Sequence, residues 1–165
     1  MSLQTLQDLF IHEIKDLYSA EKQLTEALPK MAEAASNPQL KQAFEAHLEE
    51  TTSQLERVHH LLHRFEVNPG STKCDAMEGL IAEGAEVIKE KAPASVKDAA
   101  LIAAAQRVEH YEISGYGTAR AFAETLGHAD AAKVLDEILN EESAANEKLN
   151  VLALNTVNPA ARTAK

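Results

Sequence analysis

The sequence predicts an all-α fold: a four-helix bundle with a long crossover carrying a short extra helix. Three observations carry that expectation. Apolar residues recur at intervals of three and four along nearly the whole chain, the period of amphipathic helices. Turn-forming clusters fall at Ser36–Pro38, Asn68–Thr72 and Gly127, dividing the chain into long segments. The 165 residues are 45% hydrophobic but only 4% aromatic, which suits one domain over residues 1–165 with a core of Leu, Ile, Val and Ala.

The first helix spans about residues 3–35, through Leu3, Leu6, Phe10, Ile14, Leu17, Leu24, Leu28 and Met31. Pro29 lies inside it and is expected to kink or locally break it, because proline lacks the backbone donor and crowds the preceding turn. "SNP" supplies turn and cap chemistry for a second helix over 38–66, which carries Leu40, Phe44, His47, Leu48, Leu55, Val58, Leu61, Leu62 and Phe65. "NPGST" ends it. A shorter helix over 75–92 precedes Pro93, a third long helix covers 95–126 and stops at Gly127, and the last spans 129–157. "NPAARTAK" then reads as a frayed tail. Helices of about 30 residues are ~45 Å long, and the stretch from Val67 to Ala94 is enough to travel that length.

Charge narrows the function. Sixteen basic and 26 acidic residues give a net charge of −10, which argues against nucleic acid or anionic lipid as a partner and for attraction of cations. The single Cys74 cannot close an intramolecular disulfide, and the opening "MSLQTLQDLFIHEIKD" lacks the basic and apolar regions of a signal peptide. With no apolar run near the ~20 residues that span a bilayer, a soluble cytoplasmic protein is expected, with no membrane partner.

The informative feature is acid inside the apolar stripes. Glu21 occupies the stripe of Leu17, Leu24 and Leu28; Glu112 occupies that of Leu101, Ala105, Val108 and Ala119; Glu142 occupies that of Leu135, Ile138, Ala145 and Leu149. The second helix offers His47, Glu50 and Gln54 along one edge. Glu21 and Glu50 are equidistant from the turn at Ala35 and Ser36, as Glu112 and Glu142 are from Gly127, so the four carboxylates are expected at one level of the bundle. Glu109, one turn before Glu112, reaches the same level. A lone glutamate at a stripe edge ordinarily snorkels to water. Several at one level cost several kcal/mol each and repel one another unless a cation joins them. Hard metal ions suit carboxylate oxygens, and two of them would neutralise such a cluster.

"YSAEKQL", "AHLEET", "DAALIAAAQRVEHYEISGYGT" and "LNEE" closely resemble the YciF-type bacterial stress proteins of the ferritin-like di-iron superfamily, over nearly the whole chain. The resemblance implies a stress-related homodimer with two metal ions, iron first and manganese as the alternative. It places Glu21, Glu50, Glu112 and Glu142 at carboxylate ligand positions, with Glu109 and Glu112 similar to the paired glutamates of rubrerythrin-like proteins. The chain departs from the superfamily's Glu-x-x-His motif: Ser53 follows Glu50 at the third place, and Ala145 follows Glu142. His47, and His110 if its rotamer turned it inward, are the substitutes for a nitrogen ligand.

Other residues have plainer readings. Tyr18 and Tyr116 lie one turn from expected ligands and are either core aromatics or groups that bond a ligand or carry an oxidising equivalent. Gly115 and Gly117 cost helix propensity, which suggests close helix approach at a bundle or dimer seam. His59 and His63 read as surface residues and Cys74 as an inert thiol. Two functions follow: a di-metal oxidase, ferroxidase or peroxide-detoxifying protein using oxygen or peroxide, or a non-enzymatic dimeric interaction protein with a vestigial metal site.

Overall fold

In the computed structural model, which describes residues 3–164, the first three helices start where side chains take over the unpaired amides of a first turn. Thr5 and Asp8 form a capping box: Asp8 N–H donates to Thr5 Oγ1 at 3.0 Å, and Thr5 N–H donates back to the Asp8 carboxylate at 2.9 Å. Helix α1 therefore runs Leu6–Ala34, and Leu3 stays outside it. Asn37 accepts from the amides of Gln39 and Leu40 to start α2, Pro38–Arg64, with Pro38 in the first turn. Cys74 caps α3, Asp75–Lys89, and α4, Ala94–Thr125, follows Pro93. Helix α5 spans Ala129–Leu152. Met1, Ser2 and Lys165 lie outside the described residues, so the extreme ends of the opening stretch and of the tail are not compared.

Two expectations differ. Pro29 does not break α1: it is exposed, and the helix continues beyond it to Ala34. The chain after Leu152 widens into a π-turn, Ala153–Val157, and continues as α6, Asn158–Arg162, instead of fraying. The wider turn lets Asn158 N–H reach Ala153 O, and it buries Ala153 and Val157 while the segment packs against α4.

Polar contacts between turns and helix ends report the topology. Helices α1 and α2 form one hairpin and α4 and α5 the other; α1 also packs on α4, α2 on α5, and α3 lies against α1 and α4. Asp98, near the start of α4 and only 3% exposed, accepts from the amides of Ser36 and Asn37 at 2.8 and 2.9 Å. That contact puts the start of α4 beside the α1–α2 turn. At the opposite end His128, in the α4–α5 turn, bonds Gln7 and packs its ring against Phe10 and Phe65. The crossover therefore travels the bundle's length, and α4 descends beside the ascending α1. At their crossing a Cβ on Gly115 would lie 2.8 Å from Leu17 Cδ2, so glycine permits this approach; Gly117 meets only ordinary contact.

The core is divided. One apolar cluster holds Leu24, Leu28, Leu40, Phe44, Leu101 and Leu149, and the other holds Phe10, Ile14, Leu61, Leu62, Leu135 and Ile138. Among the described residues, buried polar Glu21, His47, Thr51, Gln54, Glu109, Glu112 and Glu142 come from the middle turns of the four long helices, between the helix segments that supply the two clusters.

Because the Asp98 carboxylate satisfies two turn amides, Asp98→Ala is expected to lower stability by about 2–3 kcal/mol. Urea titration would show a lower midpoint with an unchanged slope; an unshifted midpoint would mean that apolar packing alone holds the turn.

Candidate metal centre

The middle layer takes its donors from all four long helices. His47 comes from α2, Glu109 and Glu112 from α4, and Glu142 from α5; each offers an atom, and these atoms lie within 4.8 Å of one another. His47 Nε2 is 3.2 Å from Glu109 Oε1, without hydrogen-bond alignment. Glu21 of α1 is fully buried, and the Tyr116 hydroxyl donates to its Oε1. Tyr116 sits one turn after Glu112, which brings its ring between α4 and α1 at this level.

The layer carries more acceptors than protein donors. Both carboxylate oxygens of Glu112 and of Glu142, Glu21 Oε2 and Glu109 Oε2 are buried without a hydrogen-bond partner, as are both ring nitrogens of His47. Burial pushes Glu21 up to about 7, against the opposing hydrogen bond from Tyr116. Burial, reinforced by the neighbouring carboxylates, raises Glu112 and Glu142 well above the usual carboxylate range. For His47 burial works downward, but Glu109 beside its ring, aided by Glu50 and Glu142, overrides it and holds the ring well above its ordinary value. Orphaned carboxylate oxygens and an unpartnered imidazole, converging from four helices, are the donor set that a hard cation satisfies. The residues present fit a metal.

Glu50 lies elsewhere. Its carboxylate is 47% exposed and sits 3.6 Å from His47 Nδ1, and the nearby imidazole lowers its pKa. The inward stripe of α2 is His47, Thr51, Gln54 and Val58; Glu50 falls roughly 60° to one side of it. There it lines a cavity of about 190 Å³ between α2 and α5, together with His47, Glu109, Glu141 and Lys148. His110 is also outside, its Nδ1 2.7 Å from Gln106 O on the surface of α4. Tyr18 faces the α2 side, its ring 5.7 Å from that of His59, and is not part of the buried group.

Two neighbouring networks have no counterpart in the sequence reading. Arg57 donates through both terminal nitrogens to Glu141, which also accepts from Gln54 Nε2 at 3.1 Å. This clamp ties α2 to α5 beside the layer. The spacing of His47, Glu50, Gln54 and Arg57 places Arg57 on the polar ridge of α2 without naming its partner. In the second network Tyr111 donates to Asp16 while its oxygen lies 2.9 Å from Cys74 Sγ, and Cys74 N–H donates to Ser19 Oγ. Burial raises the Cys74 thiol, which agrees with an unreactive, structural cysteine.

The match to known families follows the whole of this architecture. The model described as "Domain of unknown function (DUF892)" covers residues 5–162. The chain belongs to the DUF892 family. Protein YciF of Escherichia coli strain K12 is 54% identical over 159 residues, 96% of each chain. The crystal structure of that stress protein superposes with a TM-score of 0.90, covering 94% of this chain and 98% of its own. YcfI of Rhodopseudomonas palustris, described as structural, is 49% identical with a TM-score of 0.87, covering 90% of this chain and 95% of its own. A Xanthomonas campestris protein that is 20% identical, with a TM-score of 0.75 and covering 94% and 96% of the two chains, shares the fold. The DUF892 chain is thus of the YciF type, the all-α bundle is that of its relatives, and none of its described helices is long and apolar enough to cross a membrane.

With metal removed by a chelator, the raised carboxylates bind protons more tightly in the folded chain than in the unfolded one. The stability they contribute is full below the ordinary value of 4.5 and is lost as pH rises through the folded values, about 7 for Glu21; His47, also raised, acts in the same sense. The melting temperature of the chelated protein is expected to fall between about pH 5 and about pH 8. A rise over that interval would show that cationic side chains already neutralise the layer.

Proposed function

We propose that this protein is a ferritin-like, cytoplasmic stress protein whose middle layer holds two metal ions, iron first and manganese as the alternative, and uses oxygen or peroxide as oxidant. The observation that supports this most is the set of orphaned buried donors on His47, Glu109, Glu112 and Glu142 within 4.8 Å. Glu21 completes the ligand set from α1 through the oxygen that Tyr116 leaves free. Glu50 serves from the rim through its contact with His47. Ions held there would supply a path for electrons from a small reductant or ferrous substrate to the oxidant.

The chain's own groups have separable tasks. Tyr116 fixes the Glu21 carboxylate by its hydrogen bond and holds a proton at the edge of the layer. Burial between two apolar clusters excludes bulk water and strengthens each carboxylate's hold on a cation. The Arg57–Glu141 clamp keeps α2 and α5 in register, so His47 and Glu142 stay opposed. A second reading, a homodimeric interaction protein with an idle site, is favoured by the lone histidine and by the structural description of the Rhodopseudomonas relative.

Metal content separates the two. Protein purified without chelators and loaded anaerobically with ferrous iron is expected to bind about two irons per chain and to change absorbance on admission of oxygen. No stoichiometric iron or manganese would leave the interaction reading. Glu112→Met should abolish tight metal binding while raising the melting temperature of the metal-free protein, because a similar apolar volume replaces an unpaired buried carboxyl. A variant with wild-type metal stoichiometry would remove Glu112 from the ligand set.

A further inference from the structure

The buried layer is approached from two sides, and the two approaches differ in chemistry. The α2–α5 cavity described above has a mixed wall, with Glu50, Glu141 and Lys148 beside Ala43, Phe44 and Leu149. The other cavity, about 80 Å³, lies between α1, α3 and α4. Its walls include Leu24, Leu28, Ile81, Ile88, Ala105 and Val108, it opens beside the exposed Lys30, and it ends on His47 and Glu109. Those two residues line both cavities, so their contact is the partition between an approach of mixed polarity and an apolar one.

We infer that the α1–α3–α4 cavity is a chamber through which a small uncharged molecule of the size of dioxygen reaches the metal centre. A water molecule along most of its length would lack the two to four polar partners that hold buried water, so the chamber favours apolar occupants. Its volume is about half of the ~150 Å³ of an engineered apolar cavity that binds benzene, which selects for something smaller. Charged species are excluded by the loss of hydration that the walls impose. The crossover helix α3 forms one wall, which gives this otherwise peripheral segment a role at the centre. The inference rests on the metal-centre reading for the chemistry at the chamber's floor and on the cavity alone for binding.

Gly84 on α3 provides the test. A Cβ there would meet nothing nearer than Met31 Sδ at 3.8 Å, so a larger side chain is accepted by the backbone and projects into the chamber. Xenon applied to the metal-free protein is expected to shift the methyl NMR signals of Leu24, Ile81 and Val108 saturably. Gly84→Leu should abolish those shifts. Gly84→Ala, which improves helix propensity, should stay folded and weaken them. In iron-loaded protein Gly84→Leu should slow oxygen uptake by about tenfold without changing iron stoichiometry. Normal iron binding with no xenon in the chamber, or with oxygen uptake indifferent to Gly84→Leu, would overturn the chamber and leave the metal centre standing. Absence of iron binding would sink the metal reading and this inference together, and the stoichiometry tells that case apart.

Discussion

The rest of the structure is organised around a layer of acid held almost entirely out of water. Glu21, Glu109, Glu112 and Glu142 are each at most 1% exposed, yet the protein supplies them chiefly with one tyrosine hydroxyl and one imidazole. Like charges so close, in so little water, either take up protons or demand a cation. Either outcome costs the metal-free fold stability that leucines at the same positions would have provided. The bundle accepts that cost at its middle and concentrates its apolar packing at both ends.

The ends are fastened by different means. At one end Asp98 closes the α1–α2 turn onto α4; at the other His128 is wedged between Phe10 and Phe65 while bonding Gln7. These contacts join the two hairpins and set their relative height, which a long crossover by itself would leave loose. The layer depends on that height. A shift by one turn along a helix is ~5.4 Å, more than the span over which the four donors meet. Contacts at the two extremes of the bundle thereby determine which side chains face one another at its centre.

The parts of this arrangement that were legible in the sequence are those that break a period. Glu21, Glu112 and Glu142 stand where leucine is expected, and symmetric distances from two turns bring them to one level. His47 was visible as a polar member of an apolar face. Glu50 sits where the helical period misleads: three residues after His47 it shares an edge with it, but the buried stripe of α2 continues through Thr51 and Gln54, and Glu50 falls outside. Contacts across helices were not legible. Nothing local tells Arg57 to meet Glu141, or Tyr111 to meet Asp16 and Cys74, since these pairs depend on which helices become lateral neighbours. The start of α1 was available in the spacing of Thr5 and Asp8, and the periodicity from Leu3 masked it. The helical tail required knowing that α4 would offer Ala153 and Val157 a surface to cover.

Placing the weakest packing at the centre, with strong packing at both ends, has a dynamic consequence. Local opening draws on regions with few apolar contacts and unsatisfied polar groups. Here that region is the carboxylate layer itself, with the cavity of mixed polarity between α2 and α5 on one side and the apolar cavity under α3 on the other. A cation bound at the layer would join donors from α2, α4 and α5, and so would stabilise both hairpins at once by its differential affinity for the folded chain. The site would then be most mobile when empty and most rigid when filled.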